Sequence, residues 1–597
     1  MSRLDIREVE ELARAYALIN AVEHGGKAQP SPVMGKLMAA RPEWRKYARD
    51  IASIVRRVVE EVNSLSLEEQ KRLLEEKYKA VLEEREKAKR ERAAEEKRLP
   101  PLPGAVEGKV VTRFAPNPDF AIHLGNARPA ILSYEYARMY KGKFILRFED
   151  TDPRIKTPLP EAYETIREDL RWLGIRWDEE YIQSLRMEIY YELARKLVER
   201  GGAYVDNLPS QEFRKYRDEG KLDRYPPRLR SVEENLELWD KMLEGAFGEG
   251  EAVLRVKTDP NHPDPSVRDW VAFRIIDTSR SPHPLVGDRY VVWPTYNFAA
   301  GVDDHLLGVT HVLRAREHMQ NTIKQSFLYK HMGWVYPHVI HFGRLKLEGM
   351  IMSKSAMKEI AKAEGLARID DPRFATIASL RRRGIVAETI RRIILDVGVK
   401  QTDASISYAN LASLNRSIVD PKAKRYMVVV DPVPLLVEEL PWGKRIFEIP
   451  FHPGQNLGTR NVVVEGPQTT LYISASDLGL LRKGAIVRLM EAFNIEIIEA
   501  SRKLVKAKYH SESLEEARKH KAQIIQWVPA KENVEVEILK PEGLVLNREQ
   551  GLGEPALANV GAGEICQFVR YGFVRIDQAL RSENGSRTRI VAIYAHD

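Results

Sequence analysis

The segment from residue 113 to residue 126 combines residue types that suit the binding of a phosphate group. It reads RFAPNPDFAIHLGN, in which His123 can donate a hydrogen bond and Gly125 lacks a side chain that would keep a ligand from the backbone. A helix is predicted to follow, and a helix N-terminus offers unpaired amide groups and a partial positive charge. A histidine and a glycine in a loop are common, so the surrounding sequence must decide whether this loop binds a ligand.

The sequence around this loop predicts a strand, the loop, a helix and a second strand. A β-rich run at 110–114 is ended by Pro116 and Pro118. Apolar residues recur at helical spacing from about residue 127 to residue 140, and the run FIL at 144–146 is typical of a buried strand. A unit of this kind indicates a parallel sheet with helical crossovers.

Length and composition narrow the class of protein. The chain has 597 residues, enough for several domains, and 43% of them are hydrophobic. The net charge is 94 − 86 = +8, which is compatible with nucleic acid without indicating it. The single cysteine, Cys566, excludes an internal disulfide and a cysteine-rich zinc site and predicts a cytoplasmic setting. The sequence predicts neither a signal peptide nor a segment that spans a bilayer, and we expect no membrane association.

Changes in sequence pattern divide the chain into six parts. Residues 1–99 are predicted to be helical, and their mixed-charge run at 66–98 is typical of a solvated helix face, or of a helix that lies along RNA or a partner. The linker LPPLPG precedes an α/β segment at 105–205, which is followed by an irregular insertion at 206–290. The chain continues with a second α/β segment at 291–355, a helical segment at 356–420 and a run of short strands at 421–597.

These parts predict the fold class. The first α/β segment is expected to end with a strand at 203–205, and the second to resume the parallel sheet with a strand at 291–293. The short strands after 420 predict one or two β-barrels. The fold class is therefore α/β plus all-β, with a Rossmann-like parallel sheet.

Two short signatures resemble those of class I aminoacyl-tRNA synthetases. HLGN at 123–126 is similar to the HIGH signature of that family, and MSKS at 352–355 is similar to its KMSKS signature. Three longer stretches resemble glutamyl-tRNA synthetases of the archaeal type, namely LRFEDTDP, YNFAAGVDDHLLGVTHVLRAREH and NRSIVDPKAKRYMVV at 146–153, 296–318 and 415–429. The resemblance covers nearly the whole chain, including the helical amino-terminal extension.

The resemblance implies a role for each part of the chain. The segments 105–205 and 291–355 would form the two halves of the catalytic domain, the second with the mobile signature loop at 346–355. The insertion 206–290 would bind the acceptor end of the tRNA, and the helical segment 356–420 would contact its stem. The β-barrels of 421–597 would read the anticodon, whose unpaired bases can be stacked and hydrogen-bonded.

The resemblance also implies the residues of the active site. Around L-glutamate it places Arg113, Glu149, Tyr296 and Arg314. Two guanidinium groups can each engage one carboxylate in forked geometry, and a glutamate side chain can meet the ammonium group; which arginine takes which carboxylate stays open. For ATP it implies Pro116, His123, Gly125, Asn126, Glu317, Ser353 and Lys354. Of these, His123 and Lys354 are the candidate catalytic residues.

Several residues depart from the pattern of the family. Asn126 stands where HIGH has its second histidine, and Ile351 stands where KMSKS has its first lysine, which leaves the details of ATP contact open. Asn117 stands where some members have serine, and Ala300 where bacterial-type members have asparagine. Glutaminyl-tRNA synthetases typically have an uncharged residue at the position of Arg314 and aspartate at the position of the glutamate in LRFED, so the sequence favours glutamate as the substrate.

The predicted function is therefore that of a glutamate–tRNA ligase. ATP and substrate-associated Mg²⁺ are expected, with no protein-bound metal and no structural zinc. The expected partners are L-glutamate and tRNA(Glu), and the chain is expected to be a monomer; whether tRNA(Gln) is also charged stays open. The alternatives are a glutaminyl-tRNA synthetase, a non-catalytic tRNA-binding protein on the same scaffold, and an enzyme that glutamylates a modified base.

Overall fold

The structure is a computed structural model that describes residues 5–23, 25–78, 81, 99–363, 370–581 and 588–597. The chain divides into two compact units, 1–98 and 99–597. Much of the mixed-charge run that we predicted as a solvated helix, from 82 to 98, lies outside the described residues. None of the helices in the described ranges is long and apolar enough to cross a membrane.

The amino-terminal unit consists of helices packed around one apolar core. Its elements are α1 (Ile6–Glu23), α2 (Pro30–Ala40), α3 (Ala48–Asn63) and α4 (Leu67–Lys77). The apolar faces of α1 and α3 meet in the core, where Val9, Leu18 and Val55 are buried. Ser66 begins α4 with a reciprocal cap, because its hydroxyl accepts from the Glu69 amide at 3.3 Å while the Glu69 carboxylate accepts from the Ser66 amide at 2.9 Å.

The first α/β segment forms a three-stranded parallel sheet with helical connections. Its elements are β1 (Val111–Phe114), α5 (Leu124–Met139), β2 (Lys143–Phe148), α6 (Pro160–Trp172), β3 (Glu179–Ile182) and α7 (Met187–Glu199). Strand β2 lies between β1 and β3, and both pairings are parallel. The prediction of strand, loop, helix and strand is confirmed, except that α5 begins at Leu124 rather than near residue 127.

The insertion contains a sheet of its own, with four antiparallel strands. Its elements are β4 (Ala203–Asp206), α8 (Ser210–Asp218), α9 (Pro226–Leu229), α10 (Val232–Leu243), β5 (Val253–Val256), β6 (Val271–Ile275) and β7 (Val292–Pro294). The expectation that 203–205 and 291–293 belong to the parallel sheet was wrong, since β4 pairs with β5 and β7 pairs with β6. A short buried strand carries no pattern that indicates its partner.

The second α/β segment packs beside the first, with one of its strands next to β1. Its elements are α11 (Tyr296–Leu306), β8 (His311–Ala315), α12 (Met319–Met332), β9 (His338–Phe342), β10 (Leu345–Glu348) and α13 (Lys354–Ala363). Strands β8 and β9 are parallel. The Thr310 amide donates to the Val111 carbonyl at 2.9 Å, which places the start of β8 beside β1. Strands from two distant segments of the chain therefore lie side by side. In folds of this kind, ligands bind at the carboxyl ends of such strands.

A helical segment follows, and one of its strands pairs with part of the predicted signature loop. The elements are α14 (Ile377–Arg382), α15 (Ala387–Val397), β11 (Ala404–Ser407) and α16 (Tyr408–Val419). The prediction of a loop over 346–355 was too long, because β10 pairs in parallel with β11 and α13 begins at Lys354. The alternation in LKLE, with Leu345 and Leu347 buried, is the strand signal that we missed.

The last part of the chain is rich in strands and forms two seven-stranded, barrel-like sheets and a hairpin. Its strands are β12 (Arg425–Tyr426), β13 (Val428–Val430), β14 (Pro432–Glu438), β15 (Lys444–Pro450), β16 (Thr459–Glu465), β17 (Thr469–Ser474), β18 (Ile486–Leu489), β19 (Asn494–Ala500), β20 (Val505–Ser511), β21 (Gln523–Ile525), β22 (Val528–Pro529), β23 (Val534–Glu542), β24 (Val545–Gly553), β25 (Ile565–Phe568), β26 (Gly572–Arg581) and β27 (Thr588–His596), with helix α17 (Leu514–Lys519) after β20. Each sheet surrounds an apolar core of its own. The prediction of many short strands is confirmed.

Gly142 lets the starts of β1 and β2 approach each other closely, and we expect that Gly142→Ala destabilises the chain. A Cβ at this position would lie 2.1 Å from the Val110 carbonyl oxygen, so the backbone would have to shift. We expect a loss of about 2 kcal/mol in the free energy of unfolding, measured as a lower melting temperature by calorimetry. The control is Gly443→Ala, where nothing lies within 4 Å of the added Cβ. Equal melting temperatures for the two variants would contradict the close approach.

Candidate active site

The loop that follows β1 ends in a cap that fixes the start of α5. His123 is the first residue of this cap, and its Nδ1 accepts a hydrogen bond from the Gly125 amide at 3.0 Å. The Asn126 side chain closes the cap from the other direction, because its Oδ1 accepts from the His123 amide at 3.4 Å. Asn126, which replaces the second histidine of the signature, therefore has a structural contact in the first turn of the helix.

The prediction that this helix start offers unpaired amides to a phosphate was wrong for its first three amides. The Leu124 amide donates to the Ala375 carbonyl at 3.1 Å, the Gly125 amide to His123 Nδ1, and the Asn126 amide to the His123 carbonyl at 2.9 Å. The partner from residue 375 is supplied by the tertiary fold, so no local pattern could have revealed it. The positive end of the helix dipole remains, but direct contacts with a phosphate here have to come from side chains.

Gly125 has a clear steric reason in the structure. A Cβ at this position would lie 2.8 Å from Cε1 of the His123 ring, so an added side chain would displace the imidazole. The glycine therefore keeps His123 in its capping position and leaves the space in front of the helix open.

The His123 imidazole is uncharged at neutral pH. Burial lowers its pKa from the usual 6.5 to about 4, and the nearby Lys354 ammonium adds to this effect. Because Nδ1 accepts a hydrogen bond, the ring proton is on Nε2. His123 can therefore donate a hydrogen bond to an anion through Nε2–H, but it does not supply a positive charge.

Lys354 begins α13 and reaches back to the loop that precedes His123. Its Nζ contacts the carboxylate of Asp119. Burial lowers the pKa of Lys354, while the contact with Asp119 opposes this shift. A small cavity of about 180 Å³ lies here, lined by both residues together with His123, Asn126 and Lys156. The two signature segments thus meet in space, and their lysine and histidine line the same cavity.

An apolar cluster packs α13 against the same loop. Phe120 and Ala121 of the loop meet Met357 of α13 and Phe374, and all four are buried. Ile351, which replaces the first lysine of the second signature, packs against this cluster. Ile351 therefore contributes apolar packing at the position where the family has a charge.

A group of buried charges lies where β1, β2, β8 and α11 meet. Arg147 of β2 is fully buried, and it donates through Nη1 to Asp304 at 2.8 Å and through Nη2 to Glu149 at 3.0 Å. Arg113 of β1 donates to the same Asp304 carboxylate, from Nε at 3.1 Å and from Nη2 at 3.4 Å. One carboxylate of α11 therefore holds two arginines from neighbouring strands.

The carboxyl groups of Glu149 and Asp304 respond differently to burial. Burial raises the pKa of Glu149 above its usual value, and the neighbouring arginines Arg147 and Arg113 only partly offset the shift. Burial acts in the same direction on Asp304, but there the two arginines prevail and hold the pKa below its usual value. Asp304 is therefore firmly ionised, and Glu149 would gain from a further cation.

Arg314 differs from the other arginines of the cluster because its acceptors are neutral. It lies in β8, is 5% exposed, and donates to Gln325 Oε1 at 3.2 Å, to Thr322 Oγ1 at 2.5 Å and to the Tyr336 hydroxyl at 3.1 Å. Its Nε has no hydrogen-bond partner, and no carboxylate of the described residues lies within 4.0 Å of it. The guanidinium therefore has no carboxylate of the described chain in direct contact, although the neighbouring tyrosines and the more distant Asp304 offset its burial and raise its pKa.

The charges of this cluster sum to an excess of one positive charge. Asp303, beside Asp304, accepts from Gln183, Arg186 and Tyr190 at 3.1, 3.0 and 2.7 Å. The count covers the buried groups only: the cations are Arg113, Arg147, Arg186 and Arg314, and the anions are Glu149, Asp303 and Asp304, which gives 4 − 3 = +1. Lys156 and the ion pair between Arg274 and Asp152 also line the cavity and are not part of this group. A ligand with one net negative charge would balance this cluster.

A cavity of about 1200 Å³ connects this cluster with the start of α5. Ten of the eleven predicted site residues line it, namely Arg113, Pro116, His123, Gly125, Asn126, Glu149, Tyr296, Arg314, Glu317 and Ser353. Lys354 lines the adjoining small cavity. Glu317 is in an ion pair with Arg344 at 2.9 Å, and both side chains are at least half exposed. The structure thus brings all the predicted residues together.

Sequence reasoning missed Arg147, Asp303 and Asp304. All three lie inside stretches that carry the resemblance, LRFEDTDP and YNFAAGVDDHLLGVTHVLRAREH. A signal was available, since charged residues within an apolar run of sequence are expected to be buried and then require partners. Which of them pair could only be seen in the tertiary structure.

We expect the stability of the folded chain to fall as the pH is lowered from 6.5 to 4, and we expect His123 to contribute. The pKa of His123 is about 4 in the folded chain and near 6.5 in the unfolded chain, so between these values only the unfolded chain binds the proton. One such group contributes a slope of up to about 1.36 kcal/mol per pH unit. The free energy of unfolding, measured by denaturant titration at several pH values in this range, should change less steeply with pH for His123→Gln than for the parent.

The matched control is Asn126→Ala, which removes a contact of the same cap but no titrating group. This variant should lower stability by a similar amount at every pH. If the free energy of unfolding of His123→Gln changed with pH as steeply as that of the parent, a neutral His123 in the folded chain would be ruled out.

Models of three protein families match this chain. Residues 109–421 match the catalytic domain of class I tRNA synthetases (E and Q), and residues 423–510 and 524–577 match two models of the anticodon-binding domain of the same class. The matched ranges cover both α/β segments, the insertion, the helical segment and most of the two barrel-like sheets.

Curated relatives extend over nearly the whole chain. A glutamate–tRNA ligase of Hyperthermus butylicus is 70% identical over 97% of this chain and 100% of its own length. Glutamate–tRNA ligases of Staphylothermus marinus and Pyrococcus furiosus are 51% and 52% identical, over 97% and 99% of this chain and the full length of each relative. The chain therefore belongs to the class I tRNA synthetases for glutamate and glutamine, within the family of archaeal glutamate–tRNA ligases.

Proposed function

We propose that this chain attaches L-glutamate to the 3′ end of tRNA(Glu), with ATP as the energy source. The glutamate α-carboxylate attacks the α-phosphorus of ATP, which forms glutamyl-adenylate and releases pyrophosphate. The 3′-terminal ribose hydroxyl of the tRNA then attacks the carbonyl carbon of the adenylate and releases AMP. No side-chain nucleophile is required, so catalysis rests on positioning and on charge stabilisation.

The observation that carries this proposal is the excess positive charge of the buried cluster. L-Glutamate has two carboxylates and one ammonium group, so its net charge of −1 balances the cluster, whereas glutamine is neutral and would leave the charge uncompensated. An unpaired buried charge costs several kcal/mol, on the order of the discrimination that a synthetase requires. The cluster therefore favours glutamate over glutamine.

The two predicted arginines each have a donor for a carboxylate. Arg314 binds one carboxylate, because its present acceptors are neutral. Arg113 reaches the second carboxylate with Nη1, which its contacts with Asp304 through Nε and Nη2 leave available. Asp304 acts as a positioning residue, since it holds Arg113 without occupying all of its donors.

The remaining two predicted residues meet the other parts of the amino acid. Glu149 meets the ammonium group, which supplies the further cation that its raised pKa calls for. The Tyr296 hydroxyl adds a hydrogen-bond donor. Arg147 acts as a positioning residue, because its hydrogen bond holds the Glu149 carboxylate.

The nucleotide occupies the part of the cavity between the start of α5 and the start of α13. His123 donates from Nε2–H to a phosphate oxygen, and Lys354 leaves Asp119 to offset the charge on the phosphates. Mg²⁺ enters with ATP as part of the substrate. The space for the nucleotide is lined by Pro116, Gly125, Asn126, Glu317 and Ser353. Because His123 is neutral, Lys354 is the main positive charge of the two signatures.

The division of labour outside the active site follows the order of the chain. The insertion at 206–290 binds the acceptor end of the tRNA, together with the flanking strands β4 and β7 that complete its sheet. The helical segment at 356–420 contacts the stem, and the barrel-like sheets of 421–597 bind the anticodon loop. This assignment is supported by the two anticodon-binding models that match the sheets.

The experiment that tests the function is aminoacylation of purified tRNA transcripts. The full chain should attach glutamate to tRNA(Glu) with ATP, and it should not attach glutamine. Glutamate on tRNA(Gln) would show that the enzyme serves both tRNAs. Binding of tRNA without ATP–pyrophosphate exchange would overturn the enzyme in favour of a tRNA-binding protein, and attachment of glutamine would overturn the choice of substrate.

We expect that Arg314→Gln raises the KM for glutamate by roughly 100-fold or more while the KM for ATP changes little, because only glutamate pairs with this guanidinium. The measurement is ATP–pyrophosphate exchange in the presence of tRNA(Glu), with glutamate or ATP varied. Arg316→Gln is the control, since Arg316 is two residues away and its side chain is more than half exposed. An unchanged KM for glutamate in Arg314→Gln would remove this residue from the site.

We expect that Lys354→Ala slows formation of the adenylate by about 100-fold or more and leaves the KM for glutamate within about twofold, because the ammonium group meets the phosphates and not the amino acid. Exchange kinetics at saturating glutamate give the rate. Lys358→Ala is the control, because it removes a lysine one turn further along α13 that lies near the same Phe120 ring. Equal rates for the two variants would contradict the role of Lys354.

A further inference from the structure

Three metal-ligating side chains meet beside one of the barrel-like sheets, outside the active site. They are His510, Glu516 and His520, and one ligand atom from each lies within 4.8 Å of the other two. Within the described parts of the chain, no other three His, Cys, Asp or Glu side chains meet this criterion. Nothing in the proposed aminoacylation reaction uses these residues.

Local structure brings these side chains together. His510 lies near the end of β20, and Ser513 then caps α17, where its hydroxyl accepts from the Glu515 and Glu516 amides at 3.0 and 3.4 Å. Glu516 and His520 are four residues apart and therefore lie on the same face of the helical turn. The chain reverses between the strand and the helix, and the ring centroids of His510 and His520 are 5.4 Å apart, so this face lies near the end of β20.

The His510 imidazole has the second hydrogen bond that metal-binding histidines usually have. His510 Nδ1 is 2.9 Å from the Ser511 hydroxyl, which leaves Nε2 available. Metal-binding histidines commonly engage their second nitrogen in such a hydrogen bond, which fixes the ring and the tautomer. The centroids of the His510 and His520 rings are 5.4 Å apart and the ring planes make an angle of 77°, so the edge of one ring approaches the other ring.

The distances suit an ion with short bonds to its ligands. Ligand atoms of a tetrahedral zinc site are roughly 3.3 Å apart when each bond is about 2.0–2.1 Å long. Glu516 Oε2 lies 3.5 Å from His520 Nε2, which is already close to this value. The other carboxylate oxygen, Oε1, is 3.4 Å from Lys519 Nζ, so the helix ion pair uses one oxygen and leaves the second for the cluster.

We propose that His510, Glu516 and His520 bind one zinc ion, with water as the fourth ligand, and that the ion fastens α17 to the end of β20. Two nitrogen ligands and one carboxylate favour a transition metal over Mg²⁺ or Ca²⁺, which prefer oxygen ligands. The expectation from the sequence that the chain has no structural zinc rested on its single cysteine. Histidine and glutamate can supply such a site without cysteine.

The test is metal titration of the full chain, free of any histidine tag and treated with a chelator. Calorimetry with ZnCl₂ should show one equivalent bound with the highest affinity. Titration with Co²⁺ should give the visible absorption that is typical of a tetrahedral site. Addition of Zn²⁺ should displace the Co²⁺ ion and remove this absorption. Zn²⁺ should also raise the melting temperature, because an ion that binds only the folded chain stabilises it.

Variants assign the site to these residues. His520→Ala and Glu516→Gln should each weaken Zn²⁺ binding by about tenfold or more and abolish the Co²⁺ absorption band. Glu515→Gln is the matched control, because it removes a neighbouring carboxylate of α17 that is not in the cluster. His510→Asn provides an independent test from the strand. All four variants should melt near the temperature of the metal-free parent, since none of these side chains is fully buried.

Two outcomes would overturn the proposal. One is that the parent binds no Zn²⁺ equivalent more tightly than His520→Ala does. The other is that Glu515→Gln weakens binding as much as Glu516→Gln, which would indicate general attraction by acidic residues rather than ligation. Failure of either kind would leave the aminoacylation assay unaffected, and a negative aminoacylation assay would not affect this metal test.

Discussion

The carboxylate of Asp304 is shared by two buried arginines, and the arrangement of the buried charges depends on this interaction. It accepts hydrogen bonds from Arg113 and Arg147, which lie in neighbouring strands of the parallel sheet. Arg147 in turn donates to Glu149, so four charged side chains form one connected group. Loss of one member would leave the others buried without a partner, which is much less favourable than the intact group. These four side chains therefore hold one another in position by their mutual hydrogen bonds.

The pairing is unequal, because one buried arginine of the cluster has no carboxylate in contact with it among the residues that the structure describes. Asp303 and Asp304 pair with arginines on β1, β2 and the turn before α7, whereas Arg314 has only neutral acceptors. Burial has already removed most of Arg314 from solvent, so a carboxylate that reaches it gains a strong interaction with little further desolvation of the guanidinium. At the other end of the cavity the start of α5 is closed by its own cap, and Lys354 is held by Asp119.

Much of the fold could be predicted from the sequence, for physical reasons. Helical and strand periodicity indicated the α/β unit at 108–148 and the short strands after 420, since burial of one face imposes these periods. Prediction failed where burial removes the alternation, so β4 and β7 were assigned to the wrong sheet. It also failed at β10, where a short alternation of four residues was taken for a loop, and at the first turn of α5, where an amide finds its partner across the fold.

The sequence by itself determined the family and the candidate residues of the active site, because the signature segments and the long matching stretches are local strings whose residue types can be read in order. Only the tertiary structure decided the charge balance, because the excess of one positive charge emerges from side chains on several separate elements and depends on which of them pair. The same holds for the neutral state of His123, which follows from burial and from Lys354, a residue that only the fold brings close.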